Sequence, residues 1–156
     1  SDIVARGHTL ALHSYSHNYN TIYASKDAFL EDYEKVYDWV VENTGYTPSL
    51  FRFPGGSNNG SSYVMNNIID EMHRRGFEYF DWNVSSGDGS NLTTTDNIID
   101  NICSNVANVE NPVVLMHDGA GKNATVRALP SVLQYLSDKG YEFSPLDKSV
   151  EPVQYR

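Results

Sequence analysis

Two histidines, His13 and His17, stand four residues apart in the segment LALHSYSHNYN, directly after a short apolar run. Neutral imidazoles are common zinc ligands, and this spacing lets two rings converge on one ion, across a helical turn or within a tight loop. The same spacing also suits loop histidines that are exposed or hydrogen-bonded without a metal. A zincin motif is excluded, because Ser14 follows His13 where a metalloprotease places its glutamate. The pair alone therefore leaves a metal site and a purely structural loop open.

Three further polar clusters follow apolar segments, at residues 52–56, 81–88 and 117–119. The last begins with His117, where the end of a strand would hold a proton-transfer group rigidly. A strand-end histidine that is satisfied by the next turn is the alternative. These clusters add an arginine, acids and a third imidazole to the histidine pair, and this combination indicates acid-base or metal chemistry.

The elements that would position these clusters alternate along the chain. Strand-like runs are predicted at residues 9–13, 50–53, 77–84, 113–116 and 141–143. Helices are predicted from Ser25 to Gly45, over 62–75, around 98–106 and over 125–139, with Pro130 marking the first turn or a kink. This alternation predicts an α/β fold around a parallel sheet or barrel. In such folds the loops at the carboxyl ends of the strands form one rim, and all four clusters are expected there.

Composition limits the partners. The 156 residues are 40% hydrophobic and 12% aromatic, which predicts one domain with its own core. The formal net charge of −9 would repel nucleic acid and anionic membranes, so a neutral or cationic substrate fits better. No run of 18 apolar residues and no leader of its own is found, so no membrane insertion is expected. A lone cysteine, Cys103, excludes an internal disulfide.

Four motifs together resemble the polysaccharide deacetylase family, also called carbohydrate esterase family 4. They are His-Ser-Tyr-Ser-His at 13–17, Arg-Phe-Pro-Gly at 52–55, the segment 82–88, and Leu-Met-His-Asp at 115–118. The resemblance covers nearly the whole chain, and the order of the four motifs is far more specific than any one of them. It implies that residues 1–156 form a single deacetylase domain, an incomplete (β/α)7 barrel.

The resemblance implies a metal-dependent hydrolysis that removes N-acetyl groups from N-acetylglucosamine units of a polymer such as peptidoglycan or chitin. The histidines that match His13 and His17 bind a divalent metal in such enzymes, usually zinc, and a carboxylate completes the protein ligands. This metal polarises the acetamide carbonyl and lowers the pKa of a bound water. His117 matches the general acid that gives a proton to the departing amine. A polysaccharide or chitooligosaccharide is the implied partner.

Further positions match the substrate site of the family. Arg52 matches the arginine that positions the catalytic carboxylate, and Leu115 matches a residue that lines the pocket for the acetyl methyl group. Gly55 stands where many members carry tyrosine, and its backbone N–H can donate to the oxyanion. Tyr79 and Trp82 are expected near a sugar groove, although alternate residues of a strand face opposite sides and one of the two is expected to face the core.

Two departures from the family pattern concern acids. The family begins with a Thr-Phe-Asp-Asp motif that supplies the base and a metal ligand, and this sequence contains none. Ser85 stands where members often carry an aspartate that tunes the general acid. Asp88 matches the second acid and could take over that role, but Asp88 and Asp118 beside glycines are equally consistent with ordinary turn residues.

The missing motif leads to expectations about the chain as a whole. Its first residues read as the end of an interrupted helix, so about two β-α units of the barrel are expected to be lost. The fragment is then expected to be weakly active or inactive. Two exposed sheet edges would favour pairing with a second copy, as a homodimer or by domain swapping. The family resemblance also implies an extracellular or cell-surface location.

Two other functions stay open. A catalytically inactive carbohydrate-binding module on the same fold is consistent with Ser85 and with the missing aspartate pair. A metal-dependent amidohydrolase for a small molecule would be favoured by a closed pocket in place of an open groove.

Overall fold

The computed structural model describes residues 2–90 and 93–156. Short parallel strands alternate with longer helices along the chain. The helices are α1 (Asp2–Ala5), α2 (Tyr19–Ile22), α3 (Lys26–Thr44), α4 (Ser62–Arg74), α5 (Thr95–Asn105) and α6 (Asn123–Asp138), with a 3-10 turn at Val106–Asn108 after α5. The strands are β1 (Leu50–Phe51), β2 (Glu78–Tyr79), β3 (Val84–Ser85) and β4 (Val114–Leu115). The predicted α/β class is confirmed.

The chain forms two compact units. Unit 1 contains the residues up to Asp81 together with Pro145–Arg156, and unit 2 is Trp82–Ser144. In unit 1, β1 pairs in parallel with β2, with Leu50 opposite Glu78 and Phe51 opposite Tyr79. Leu12 forms a parallel bridge to Phe51, so the backbone directly before His13 is aligned beside β1. The domain prediction for residues 1–156 stays a prediction.

The core of unit 1 is aromatic and aliphatic. Helices α3 and α4 pack their apolar faces against the β1–β2 pair, and the buried residues include Phe29, Tyr33, Phe51, Phe53, Met65, Ile68 and Tyr79. The ends of α3 follow the predicted signals, because the Ser25 hydroxyl accepts from the Ala28 N–H and Gly45 closes the helix with a φ of 68°. This packing holds the loops that follow Leu12 and β1.

Unit 2 has a separate core. Strand β3 pairs in parallel with β4, with Val84 opposite Val114 and Ser85 opposite Leu115. Helices α5 and α6 pack on this pair, and the buried residues are Val84, Ile98, Ile102, Val106, Ala128, Val132 and Leu136. The Thr94 hydroxyl caps α5 by accepting from the Asn97 N–H. The unit is therefore a β-α-β-α arrangement with its own hydrophobic centre.

Four element predictions are corrected. The strand expected over residues 9–13 is only a single bridge at Leu12. The single strand expected over 77–84 is two strands that belong to different pairs. The backbone changes partner between them, because the Asp81 N–H donates to the Val153 carbonyl oxygen and the Asn83 N–H donates to the Val113 carbonyl oxygen. Residues 141–143 form no strand in the described part of the chain. Helix α6 begins at Asn123, so Pro130 lies inside the helix and does not mark its first turn. Within residues 2–90 and 93–156, no helix has both the length and the apolar character needed to span a bilayer.

Candidate functional site

His13 directly follows the Leu12 bridge in unit 1, and a hydrogen bond fixes its ring. Its Nδ1 lies 2.8 Å from the backbone carbonyl oxygen of Arg52, at the end of β1. A carbonyl oxygen can only accept, so Nδ1 carries the proton and Nε2 of the neutral ring has the lone pair. A metal-binding histidine commonly donates its other ring N–H to a backbone carbonyl in this way. His13 therefore has the tautomer that metal binding by Nε2 requires.

His17 lies beside His13. Their ring centroids are 5.0 Å apart with an angle of 59° between the ring planes. His17 has a φ of 53° and is the one residue other than glycine with a positive φ among those described. This conformation is uncommon for a residue with a Cβ atom and has to be held by its surroundings.

Asp32 of α3 holds the loop between the two histidines. Its carboxylate accepts from the Ser14 hydroxyl at 2.6 Å and from the backbone N–H groups of Tyr15 and Ser16, each at 2.9 Å. The Ser14 hydroxyl oxygen accepts in turn from the His17 N–H at 2.9 Å. Burial alone would raise the pKa of Asp32, but these hydrogen bonds outweigh it and lower that pKa.

The two imidazoles fit a divalent metal as part of its ligand set. Nitrogen ligands suit zinc, and the oriented ring of His13 is in the tautomer whose Nε2 can bind the ion. In the part of the chain that the structure describes, no group of three or more histidine, cysteine or acidic side chains is placed to hold an ion. The described residues therefore supply two ligands.

The loop after β1 carries Arg52 and Gly55. Gly55 has a φ of 75°, and a Cβ atom built on it would lie 2.5 Å from the side-chain nitrogen of Asn59 and 3.2 Å from the Tyr19 hydroxyl. A side chain at this position would therefore be strained and would displace Asn59. The exposed Gly55 backbone is consistent with the predicted oxyanion donor, and that role stays a prediction.

Buried polar contacts fix the far end of the same loop. Ser57 is fully buried, and its N–H and hydroxyl both donate to the Asp81 carboxylate, at 2.8 and 2.5 Å. The Tyr155 N–H donates to Asp81 Oδ2 at 2.8 Å. The loop from β1 to Ser57 is thus tied to the segment after β2 within unit 1.

Tyr79 faces the core and does not line a groove. It is 1% exposed, and its ring centroid lies 5.1 Å from that of Phe53. Its hydroxyl donates to the Arg156 carbonyl oxygen. Burial, with the nearby Asp81 charge, raises the pKa of Tyr79 to about 12. The predicted substrate contact is corrected for Tyr79, because its position in β2 points it into the apolar cluster.

In unit 2, Asp88 and His117 form a hydrogen-bonded pair. Nδ1 of His117 lies 2.7 Å from Asp88 Oδ1, and the His117 backbone N–H donates to Oδ2 at 2.8 Å. The hydroxyl groups of Ser86 and Thr125 also donate to the carboxylate, at 2.6 and 2.8 Å. Asp88 is 2% exposed, so the interpretation as an ordinary turn acid is wrong. This arrangement fixes the ring and the tautomer of His117.

The electrostatics of Asp88 follow from these contacts. Burial alone would raise its pKa, but hydrogen bonds from Ser86, His117 and Thr125 lower the pKa of Asp88 to about 2. Lys122 donates to the backbone carbonyl oxygens of Asp88 and Gly89, at 2.6 and 3.1 Å. The loop is therefore held from the start of α6 while its carboxylate remains ionised.

The remaining predicted residues of unit 2 lie at the strands. Leu115 is partly buried in β4, and the residues on either side of it, Val114 and Met116, pack against the core cluster. Trp82 is also partly buried. Ser85 is exposed, and its hydroxyl accepts from the Gly87 N–H at 3.2 Å. The substrate roles of Leu115 and Trp82 stay predictions.

Sequence reasoning missed the residues that support the histidines. Asp32 stands 15 residues after His17, and its one sequence signal is that an acid interrupts the apolar stripe of α3 between Phe29 and Tyr33. Thr125 has no such signal, because an ordinary threonine in the first turn of a helix looks the same. Contacts between such distant positions have no fixed spacing in a sequence.

Comparison with known proteins gives consistent matches. A family model described as Polysaccharide deacetylase matches residues 1–79. A peptidoglycan-N-acetylglucosamine deacetylase from Bacillus cereus is 31% identical over 156 residues, which cover 97% of this chain and 55% of that protein. The chain spans about half the length of the curated relatives it matches.

Two crystal structures have a similar fold. The catalytic domain of a peptidoglycan N-acetylglucosamine deacetylase from Eubacterium rectale is 37% identical, with a TM-score of 0.91, over 99% of this chain and 72% of that one. A polysaccharide deacetylase from Bacillus cereus is 29% identical, with a TM-score of 0.79, over 97% of this chain and 73% of that one. The fold is thus that of a deacetylase catalytic domain.

Proposed function

The chain belongs to the polysaccharide deacetylase family, and from this we propose that it acts in the metal-dependent removal of N-acetyl groups from N-acetylglucosamine-containing polysaccharide. The observation that carries the proposal is the paired and oriented imidazoles of His13 and His17. The Asp88–His117 pair supports it independently, because a hydrogen bond fixes the His117 ring and a fixed imidazole suits a proton donor.

The substrate is proposed to be peptidoglycan or a chitin-like polymer. Two of the three relatives named above are called peptidoglycan N-acetylglucosamine deacetylases. The net charge of −9 also suits a neutral sugar polymer better than a polyanion. Such a polymer lies outside the cell membrane, so we propose an extracellular or cell-surface location.

His13 and His17 would hold the divalent metal, with zinc the ion that their nitrogens suit. Polarisation of the acetamide carbonyl is the chemistry that such an ion supplies when it is bound. The Arg52 carbonyl oxygen keeps the His13 proton on Nδ1, so Nε2 presents its lone pair. Arg52 would also orient the carboxylate that acts as base in the family.

His117 would protonate the departing amine from Nε2. Asp88 accepts a hydrogen bond from the Nδ1–H, so the proton that is transferred to the amine would leave from the other ring nitrogen. An ionised carboxylate at 2.7 Å also stabilises the imidazolium that has to form before the proton is given up. Many members of the family carry an aspartate at the position of Ser85, and it tunes the general-acid histidine. In this chain Asp88 would have that role.

The other residues would bind the reacting group. The Gly55 N–H would donate to the oxyanion, Leu115 would contact the acetyl methyl group, and Trp82 would contact the sugar. We propose that the chain alone is weakly active or inactive, because its sequence contains no Thr-Phe-Asp-Asp motif to provide the base. A carbohydrate-binding module without catalysis is the second candidate, favoured by Ser85 in place of an acid.

The first test measures zinc bound at equilibrium and its dissociation constant. The protein is compared with the His13→Ala/His17→Ala double variant and with His8→Ala, whose histidine is exposed and outside the motif. We expect the wild type and His8→Ala to bind one zinc ion each and the double variant to lose it. Absence of zinc from all three would overturn the metal role of the pair.

The second test measures acetate release from chitooligosaccharide. It uses an extended protein in which a Thr-Phe-Asp-Asp segment of the family precedes this chain, with and without His117→Ala. We expect His117→Ala to lower kcat by about 10²–10⁴-fold, the usual contribution of a general acid. Binding of chitooligosaccharide without acetate release from the extended protein would favour the carbohydrate-binding module.

A further inference from the structure

An acid occupies the inward face of helix α3, where the neighbouring residues Phe29 and Tyr33 are buried and apolar. Asp32 is only 9% exposed. Burial of a carboxylate is costly unless hydrogen bonds compensate for it, so its partners indicate why an acid stands at this position. Asp32 accepts its hydrogen bonds from the short loop that joins His13 to His17.

Three successive residues of that loop donate to Asp32. The donors are the Ser14 hydroxyl and the backbone N–H groups of Tyr15 and Ser16, at 2.6 to 2.9 Å. The oxygen of the Ser14 hydroxyl accepts from the His17 N–H at 2.9 Å. A continuous chain of hydrogen bonds therefore runs from α3 to the backbone of His17.

This chain of hydrogen bonds meets a strained residue. His17 has a φ of 53°, in the left-handed region, and residues of this kind persist only where the surrounding structure fixes them. The position of the His17 ring beside His13 depends on that backbone conformation. Asp32 is the group that ties this loop to a long helix, whereas His13 is fixed separately by Arg52.

We propose that Asp32 is a positioning residue of the metal site, which sets the loop so that His13 and His17 are already arranged for a divalent cation. The inference rests on the proposed function, since it requires that the pair binds metal. Asp32 acts through the Ser14 hydroxyl and the loop backbone and is not itself a ligand. A neutral amide in its place cannot accept all three hydrogen bonds, because one of its two polar atoms is a donor.

The test is the zinc affinity of Asp32→Asn, measured with zinc alone by chelator competition on the folded protein. We expect the dissociation constant for zinc to rise about 10–100-fold, the usual effect of losing an outer-sphere partner of a metal site. Glu31→Gln is the matched control, because it makes the same change one residue earlier at an exposed position. The control is expected to bind zinc as the wild type does.

A second variant separates positioning from stability. Ser14→Ala keeps both backbone hydrogen bonds to Asp32 but removes the hydroxyl that accepts from the His17 N–H. It should therefore weaken zinc binding and reduce the free energy of unfolding by less than Asp32→Asn does. The effects of Asp32→Asn and Ser14→Ala on zinc affinity should be less than additive, because both interrupt the same series of hydrogen bonds. Hydrogen exchange of the His17 amide should accelerate in each variant.

The outcomes are distinct. Folded Asp32→Asn that binds zinc with wild-type affinity would overturn the positioning role and leave the proposed function intact. Should Asp32→Asn fail to fold, wild-type affinity in Ser14→Ala would overturn it equally. A wild-type protein that binds no zinc would overturn the proposed metal site and this inference together.

Discussion

Both carboxylate oxygens of Asp88 are occupied by donors, which come from Ser86, His117 and Thr125. With only 2% of the residue exposed, water cannot replace these contacts. Ser85, three positions earlier, is exposed, and its hydroxyl accepts from the Gly87 N–H. At the scale of single residues, the acid that supports His117 is therefore Asp88.

The lowered pKa of Asp88 predicts how stability depends on pH. Folding favours the ionised form, since the pKa is about 2 in the folded protein against an ordinary value of 3.8. Its stabilisation is therefore complete above about pH 4 and is lost as the pH falls towards 2. At about 1.4 kcal/mol per pKa unit, it amounts to about 2 kcal/mol.

We expect Asp88→Asn to lower the free energy of unfolding by about 2 kcal/mol at pH 7, and the difference from the wild type to shrink between pH 4 and 2. Urea unfolding at a series of pH values measures this difference. Asp118→Asn, a change of the exposed acid next to His117, is the control and should leave stability nearly unchanged. A difference for Asp88→Asn that stays constant down to pH 2 would contradict the prediction.

At the scale of elements, the helices were predictable and the strands much less so. Ser25 and Gly45 mark the ends of α3 as expected, because capping depends on adjacent residues. Each strand has two residues, which is too short for an alternating pattern to locate its ends. Strands β2 and β3 fall within one aromatic run, and only their partners, β1 and β4, separate them.

The candidate functional residues of each unit show the same division. His13, His17, Arg52, Asp88 and His117 could be named because each lies in a short motif directly after an apolar run. The residues that hold them in place, such as Asp32 and Thr125, could not be named, because they come close to these side chains only when the chain folds. Asp32 lies on α3 and contacts a loop that comes earlier in the sequence, and no local sequence pattern predicts that contact.

Pro130 gives a prediction at the scale of one helix. It lies inside α6 and is exposed, so it removes a backbone donor without a packing gain. We expect Pro130→Ala to raise the free energy of unfolding by about 1–3 kcal/mol, because it restores an N–H and a helix-forming residue. Thermal unfolding followed by circular dichroism measures the change.

Ser131→Ala is the matched control for the same helix. It changes an exposed neighbour and improves helix propensity by only about 0.5 kcal/mol, with no hydrogen bond recovered. A gain in Pro130→Ala no larger than that of the control would show that α6 has already accommodated the missing donor.

At the scale of the whole molecule, the chain leaves unit 1 at Asp81 and returns to it at Pro145. The returning segment is hydrogen-bonded to the rest of unit 1 near its start and near its end. Its Leu146 carbonyl accepts from the Thr9 hydroxyl at 2.6 Å, its Val153 carbonyl from the Asp81 N–H at 2.7 Å, and Tyr155 donates to the Asp81 carboxylate. Unit 1 is therefore assembled from two distant parts of the sequence.

Removal of residues 145–156 should destabilise unit 1. Asp81 would lose a donor to a buried charge, and that alone costs about 1.5–3 kcal/mol. We expect hydrogen exchange to accelerate at residues 77–81, with residues 97–105 of α5 as the internal reference. Glu151→Gln, an exposed change within the segment, is the control. Unchanged protection at 77–81 after the removal would contradict the prediction.

The returning segment also sets an order of events during synthesis. A ribosome adds residues in the order of the sequence, and domains generally fold in the order in which they emerge. Here all of Trp82–Ser144 is made before Pro145–Arg156 can reach Asp81. A nascent chain can thus complete the core around Val84 and pair Asp88 with His117 while the earlier-made histidine loop still belongs to an unfinished unit.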